Sequence, residues 1–147
     1  MDRWAHLYRA RTNNWPALAG DLRRFDGQSP TKLLIAAYPH QIDQLLPREQ
    51  ELFGDRLYVT RSMPEYIEYL NPAVSKGAAL EWLAGHLGLQ REQVMAMGDM
   101  LNDLPMIQWA GIGVAMPTAE EAVRRAADFV PEHEEEGVAE AIARFVG

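Results

Sequence analysis

The sequence predicts an α/β fold in which a partial Rossmann-like parallel sheet with helices follows a partial α+β block. From residue 75 onward, segments typical of helices alternate with short apolar segments typical of buried strands. Before residue 73, strand-like segments follow one another without crossover helices, which indicates partly antiparallel pairing. We therefore predict two regions, an α+β region at 1–73 and a parallel-sheet region at 74–147.

The first region is predicted to form a βαββ arrangement. Strands are predicted for the segments KLLIAA, RLYVT and EYIEYL, which are rich in β-branched, aromatic and other apolar residues. A helix is predicted within residues 40–53, between the first two strands. Residues 1–30 give no clear pattern.

The second region begins with a predicted amphipathic helix in SKGAALEWLAGHLGL. Ser75 is a suitable N-cap, and Gly88 is placed to end the helix. Its apolar side chains recur at helical spacing, at Leu80, Leu83 and Leu87. The next segment, QVMAM, is short and apolar, and we predict a buried strand.

The remaining segments continue the alternation of helices and strands. A short helix is predicted for LNDLPMIQWA, where Pro105 falls within the first turn and is therefore tolerated. Buried strands are predicted for GIGVAM and DFV. Between them, PTAEEAVRRAA has Thr118 and Glu121 at the spacing of a capping box, and GVAEAIARFV is predicted to form the closing helix.

Composition excludes several classes of function. The chain has 14 basic and 21 acidic residues and a net charge of -7, which disfavours nucleic acids and anionic membranes as partners. It has no cysteine, which excludes disulfides, thiolate zinc sites and cysteine nucleophiles. The amino terminus is too polar for a signal peptide and the apolar segments are too short to span a bilayer, so we expect a soluble, cytoplasmic protein.

Polar residues cluster directly after the QVMAM strand, at Asp99, Asn102 and Asp103. Offsets of three and four residues bring these side chains to one side of a helical turn, at the sheet edge where ligands of parallel α/β proteins collect. Carboxylate and amide oxygens are ligands that Mg²⁺ prefers. In the alternative interpretation, Asp99 is a helix N-cap and Asp103 only interacts with the helix dipole.

Lys76 opens the helix that precedes this strand. A lysine beside free helix N–H groups can contact a phosphoryl oxygen and restrain a nearby carboxylate. The alternative is an ordinary exposed lysine in a first helical turn.

Five segments in sequence order resemble the Cof-type branch of the haloacid dehalogenase-like (HAD) phosphatases. The segments are EYLNPAVSKGAAL, VMAMGDMLNDLPMI, AGIGVAMPTA, AADFV and EEEGVAEAI. The resemblance extends from about residue 31 to the carboxyl terminus. It implies a Mg²⁺-dependent hydrolase of small phosphorylated metabolites, with part of a cap in the first region and the later half of the catalytic core in the second.

The resemblance also implies roles for individual residues. Asp99 would bind Mg²⁺ directly and Lys76 would stabilise the phosphoryl group, while Asn102 and Asp103 would orient metal-bound water, phosphate or Lys76. Gly77 and Gly98 would be the supporting backbone positions, so that the implied site consists of Lys76, Gly77, Gly98, Asp99, Asn102 and Asp103.

The family's nucleophile motif, D-x-D-G-T, is absent from these 147 residues. The nearest segment, RFDGQSP, has Asp26 and Gly27 but neither the paired aspartate nor a preceding buried strand. We therefore expect a truncated, carboxyl-terminal piece of such an enzyme that is inactive alone and partners with itself or with a complementing amino-terminal fragment. Two smaller departures are Met100, where the family usually has glycine, and His133, where it often has asparagine.

Two other functions compete with the phosphatase hypothesis. The chain could be a non-catalytic metal-binding or assembly module that retains the HAD-like fold. It could also be a phosphoacceptor domain in which Asp99 is phosphorylated, although the sequence offers no second acidic pair at a strand end.

Overall fold

A computed structural model of the protein describes residues 2–146, which form two layers in contact with each other. The first layer is an antiparallel sheet with two helices. Its elements are α1 (Arg3–Thr12), β1 (Leu33–Ala36), α2 (Pro39–Phe53), β2 (Tyr58–Met63) and β3 (Tyr66–Leu70). Residues 1–30, for which the sequence predicts no pattern, contain α1 and a 3₁₀ turn at Leu22–Phe25.

The second layer contains a parallel strand pair and the helices around it, which confirms the predicted α/β class. Its elements are α3 (Lys76–Leu87), β4 (Met95–Gly98), α4 (Leu104–Trp109), β5 (Ile112–Ala115), α5 (Glu121–Ala126) and α6 (Gly137–Phe145). Within residues 2–146, no helix is both long enough and apolar enough to cross a membrane.

The antiparallel sheet has β3 in the centre, in the order β1-β3-β2. Side chains alternate between the two faces of a strand, and one face of this sheet is apolar. Val59, Ile67 and Tyr69 on that face pack against Ile42 and Leu46 of α2 to form a buried cluster. The predicted βαββ arrangement therefore has its core between the sheet and α2.

Strands β4 and β5 pair in parallel, from Met95 opposite Ile112 to Gly98 opposite Ala115. The strand predicted at DFV is reduced to one parallel bridge, between Val114 and Phe129. Its pairing ends early because Pro131, two residues later, has no N–H to donate to a ladder.

Helix α3 begins and ends where its caps predict, but its predicted amphipathic character is wrong. The Ser75 hydroxyl accepts from the Ala78 N–H at 3.0 Å, and Gly88 follows the helix in the left-handed conformation. The large side chains Leu83 and Leu87, however, are 45% and 61% exposed. The helix instead packs against α4 through a small residue, Gly77, which is buried.

The predicted capping box at Thr118 and Glu121 is also wrong. Helix α5 begins at Glu121, two residues later than a Thr118 cap requires, and Glu120 precedes it. The Thr118 N–H donates to the Glu134 carboxylate at 3.1 Å instead. The Glu121 carboxylate accepts from Arg124 and Arg125, its neighbours on the helix surface, so it does not reach back to the cap.

Adding one methyl group to Gly77 is expected to destabilise the protein. A Cβ at Gly77 would lie 2.6 Å from the Pro105 carbonyl oxygen, so Gly77→Ala should force α3 away from α4 and lower the free energy of unfolding by about 2 kcal/mol or more. Gly85, in the same helix, has nothing within 4 Å of such a Cβ.

The matched control Gly85→Ala should therefore stabilise the protein by about 0.5–1 kcal/mol, the gain in helix propensity. Urea unfolding of the two variants and the native chain measures both changes. Equal effects of the two substitutions would contradict the close packing of α3 on α4.

Candidate functional site

Asp103 is the buried centre of the segment that follows β4. The chain leaves β4 at Gly98, and a 3₁₀ turn at Leu101–Asp103 leads into α4. Asp103 is 3% exposed. Its Oδ2 accepts hydrogen bonds from the backbone N–H groups of Asp99 at 3.0 Å and Met100 at 3.1 Å. Its other carboxylate oxygen, Oδ1, forms an ion pair with the ammonium of Lys76.

Gly98 permits this arrangement because a side chain there would collide with the aspartate. A Cβ on Gly98 would come 2.5 Å from the Cβ of Asp103. Met100, which departs from the family's usual glycine, has a φ of −109°, an ordinary value for any residue. The bulky side chain at this position therefore causes no backbone strain.

The side chain of Asp99 is exposed at the end of β4, and within residues 2–146 it forms no ion pair. Burial raises the pKa of the Asp99 carboxyl, the negative charges of Asp103 and Glu134 raise it further, and Lys76 offsets part of the rise. A carboxylate that is partly desolvated beside like charges favours a bound cation.

The capping interpretation of Asp99 is wrong. The residue that immediately precedes the 3₁₀ turn is Met100, and Asp99 lies one position before it. Asp99 is held through its backbone instead, because its carbonyl oxygen accepts from the Glu120 N–H at 2.9 Å. Its side chain is therefore available to a ligand.

Asn102 carries a buried amide oxygen that lacks a hydrogen-bond partner among residues 2–146. Buried polar atoms are almost always paired, so such an atom marks a place where a ligand or water completes the structure. Asn102 and Lys76 both line a cavity of about 350 Å³ at this end of the molecule.

The residues present fit Mg²⁺, provided that other groups complete its coordination. Across the part of the chain that the structure describes, no three His, Cys, Asp or Glu side chains are grouped to hold a metal by themselves. Mg²⁺ commonly binds through one or two carboxylates together with waters and substrate phosphate. Asp99 would supply one such carboxylate.

The structure brings Lys76, Asp99, Asn102 and Asp103 together at the carboxyl end of β4. Gly77 lies in close contact with Pro105, and Gly98 lies in close contact with Asp103. Asp26 and Gly27 lie elsewhere, after a 3₁₀ turn and in an exposed loop, and no strand precedes them. The nearest match to the nucleophile motif is therefore not part of this site.

The sequence prediction missed polar residues on the second face of the antiparallel sheet. Tyr58 and Thr60 alternate along β2, and Thr60 lies opposite Glu68 of β3. Lys32 Nζ and the Ser62 hydroxyl both donate to Glu68 Oε1, at 2.8 and 2.7 Å. Two features of the sequence could have indicated this polar face. Polar side chains recur at every second position of β2, at Tyr58, Thr60 and Ser62, and Glu68 lies inside the otherwise apolar strand β3.

Arg61 joins the two layers beside Asp99. Its guanidinium donates from Nε to Glu120 Oε1 at 3.0 Å and from Nη1 to Asp43 Oδ1 at 2.6 Å. The hydrogen bond to Glu120 contributes most to the raised pKa of Arg61. Since the Glu120 backbone also holds the Asp99 carbonyl, the antiparallel layer is tied to the segment that carries the acid cluster.

Glu134 lies in the acidic loop at 132–136. In the structure its carboxylate accepts from the Thr118 N–H and its charge helps to raise the pKa of Asp99. His133, in the same loop, is exposed.

The chain belongs to the haloacid dehalogenase-like hydrolase family, whose model matches residues 16–142. It is similar to 5-amino-6-(5-phospho-D-ribitylamino)uracil phosphatase YcsE of Bacillus subtilis, with 45% identity over 61% of this chain and 36% of the relative. It is also similar to the HMP-PP phosphatase of Cronobacter sakazakii, with 33% identity over 67% of this chain and 36% of the relative.

Solved structures of the family share the fold. A haloacid dehalogenase-like hydrolase from Bacteroides thetaiotaomicron matches 98% of this chain with a TM-score of 0.71 and 31% identity, over 55% of its own length. The chain thus spans about half of that structure, and its alignments cover little more than a third of each of the two curated relatives.

Proposed function

We propose that this chain supplies the metal-binding and phosphoryl-binding part of a Mg²⁺-dependent phosphatase that acts on small phosphorylated metabolites. The observation that carries the proposal is the convergence of Lys76 and Asp103 with Asp99 at the end of β4. Phosphoryl transfer depends mainly on positioning and on neutralising negative charge that is spread over the phosphoryl oxygens. An ammonium and an available carboxylate at one sheet edge meet that demand.

Each residue has a distinct part in the proposed site. Lys76 contacts the phosphoryl group, and Asp103 holds the Lys76 ammonium in place. Asp99 binds Mg²⁺, and the bound ion would neutralise part of the phosphoryl charge. The unpaired amide oxygen of Asn102 orients water or substrate. Asp103 is already occupied by two backbone N–H groups and Lys76, so it acts by positioning.

The substrate class rests on the relatives and on the cavity. One relative is named for a phosphorylated ribityl compound and the other for HMP-PP, and both names describe phosphatases. The cavity beside Lys76 has a volume of about 350 Å³, which suits a small ligand.

We also propose that the chain does not hydrolyse phosphate esters alone and that it has a partner. It contains no D-x-D-G-T motif, so it lacks the aspartate that attacks phosphorus in the family it resembles. Strand β4 pairs with β5 on one edge, and no other strand in residues 2–146 pairs with it. An unpaired edge of this kind favours a second copy of the chain or a complementing amino-terminal fragment.

Titration of the purified chain with Mg²⁺ and inorganic phosphate, alongside an assay with p-nitrophenyl phosphate, tests the proposal. We expect binding of both ions and no hydrolysis above the buffer blank. Hydrolysis by the native chain that is lost in Asp99→Asn would contradict the proposal that the chain lacks a nucleophile. Failure to bind either ion would contradict the proposed metal-binding and phosphoryl-binding site. Sedimentation of the same preparation tests self-association, and a monomer at every concentration would leave the complementing fragment as the partner to seek.

The non-catalytic module makes the same binding prediction. The reading frame upstream of this coding sequence separates the two functions. An in-frame D-x-D-G-T motif there favours the phosphatase, and its absence favours the module.

A further inference from the structure

Two contacts connect the segment that carries Asp99 to the antiparallel layer. The first runs through Glu120, whose N–H donates to the Asp99 carbonyl oxygen at 2.9 Å and whose carboxylate pairs with Arg61 of β2. The second is made by Leu101, which packs against the buried cluster between the antiparallel sheet and α2. The position of Asp99 therefore depends on residues of the other layer.

Arg61 holds the Glu120 carboxylate by both of its oxygens. Nε donates to Oε1 at 3.0 Å, and Nη2 donates to Oε2. A guanidinium that binds both oxygens of a carboxylate fixes its orientation as well as its distance. The Arg61 and Glu120 side chains are only 19% and 20% exposed, so solvent screens this pair less than it screens an ordinary surface pair.

The guanidinium of Arg61 is in turn held by α2. Its Nη1 donates to Asp43 Oδ1 at 2.6 Å. A continuous path of hydrogen bonds therefore runs from Asp43 of α2 through Arg61 and Glu120 to the backbone of Asp99.

Loss of Arg61 would displace Glu120 and, with it, Asp99. Within residues 2–146 the Glu120 carboxylate has no hydrogen-bond partner other than Arg61. A largely buried carboxylate without a partner is costly, so the Glu120 side chain would turn toward water. The N–H that holds the Asp99 carbonyl belongs to the same residue and would move with it.

We propose that Arg61 is a positioning residue of the metal site, which acts through Glu120 to hold Asp99 where its carboxylate can bind Mg²⁺. Mg²⁺ demands near-ideal octahedral geometry, so a small displacement of a ligand lowers its affinity. The inference rests on the proposed function, because it requires Asp99 to bind the metal. It gives the antiparallel layer a part in metal binding.

The sign of the effect distinguishes positioning from simple charge. Removing the positive charge of Arg61 would by itself strengthen the binding of a cation nearby. Loss of position weakens it. We therefore expect Arg61→Gln to raise the Kd for Mg²⁺ about tenfold, the lower end of the range for residues that support metal ligands without contacting the metal.

Calorimetric titration of the full chain with Mg²⁺ alone measures this change, and Arg11→Gln is the matched control. It makes the same substitution in the same layer and breaks a comparable ion pair, between Arg11 and Glu65 at 3.1 Å. Its Kd should equal that of the native chain. An equal rise in Kd in both variants would show a general loss of stability and overturn the inference.

Glu120→Gln keeps the test decisive if Arg61→Gln fails to fold. It retains the backbone N–H, weakens the contact with Arg61 and should raise the Kd for Mg²⁺ about threefold to tenfold. The double variant should bind Mg²⁺ no more weakly than Arg61→Gln, because both residues act through one path. Additive losses would contradict that path.

Hydrogen exchange of the Glu120 amide in the metal-free chain tests the same contact without Mg²⁺. Exchange should be about tenfold faster in Arg61→Gln and unchanged in Arg11→Gln. Unchanged exchange in Arg61→Gln, or a Kd for Mg²⁺ that is unchanged or lower, would overturn this inference while the proposed function stood. No binding of Mg²⁺ to the native chain would overturn the proposed function and the inference with it.

Discussion

Replacing Asp99 with asparagine is expected to abolish Mg²⁺ binding and to leave the metal-free fold at least as stable as the native one. The raised pKa of Asp99 shows that its negative charge is unfavourable in the folded chain, because burial and the charges of Asp103 and Glu134 oppose it. Asparagine removes that charge and with it the metal ligand. Stability without metal should therefore change by about 0–1 kcal/mol, in the stabilising direction.

Thermal unfolding with and without Mg²⁺ measures this difference. At a Mg²⁺ concentration about 100 times its Kd, binding stabilises the native chain by about 2.7 kcal/mol, a rise in Tm of about 5–10 °C. Asp99→Asn should show no rise. The control Asp26→Asn changes an exposed aspartate outside the site and should keep the full rise. An undiminished rise in Asp99→Asn would remove Asp99 from the metal site.

The pH dependence of Mg²⁺ binding follows from the same raised pKa. The folded chain holds a proton on Asp99 more tightly than the unfolded chain does, so this group contributes stability at low pH that is lost as pH rises through its folded-state pKa. Protons and Mg²⁺ compete for the carboxylate. As pH is lowered, Mg²⁺ affinity should therefore begin to fall at a higher pH than it would if the ligand were an aspartate with an ordinary pKa.

Removing the Asp103 carboxylate should produce the largest loss of stability of any substitution in the site. Asp103→Ala leaves the N–H groups of Asp99 and Met100 without their acceptor and leaves the Lys76 ammonium unpaired. The Lys76 side chain is half-exposed, so the cost comes mainly from the two lost hydrogen bonds to the carboxylate, at about 1.5–3 kcal/mol each. The segment after β4 should loosen as a result, and Mg²⁺ affinity should fall with stability.

Asp103→Asn distinguishes the hydrogen bonds from the charge. Asparagine keeps one acceptor oxygen, which can still bond the two backbone N–H groups, so the loss should be about 1–3 kcal/mol. Urea unfolding measures the free energy of unfolding of both variants. The slope of that free energy against urea concentration shows whether a substitution has also changed the unfolded state. A loss below about 1 kcal/mol in Asp103→Ala would contradict the central structural role of this carboxylate.

Predictions that rest on neighbouring residues succeed at several places in this chain. Ser75 caps α3 through a hydrogen bond to a residue three positions later, and Gly88 ends the same helix with a positive φ. Pro105 is accommodated near the start of α4, as its position in the sequence predicts. These features depend on backbone geometry within one turn, which the local sequence specifies.

Predictions that depend on what packs against a segment are less successful. The apolar spacing of α3 predicts that Leu83 and Leu87 are buried, whereas the contact with α4 is made through Gly77. The spacing of Thr118 and Glu121 fits a capping box, but Thr118 binds Glu134 from a separate loop. In both cases a tertiary contact overrides a valid local pattern.

By itself, the sequence determined the α/β class, the presence of a strand at QVMAM, which the structure has at Met95–Gly98, and the grouping of Asp99, Asn102 and Asp103 directly after it. Only the tertiary structure decided that Asp103 pairs with Lys76 and that Glu68 meets Lys32, 36 residues away, on the wall of one cavity. The physical reason is that strand order and packing set distances between residues far apart in the chain, whereas backbone geometry sets those within a turn.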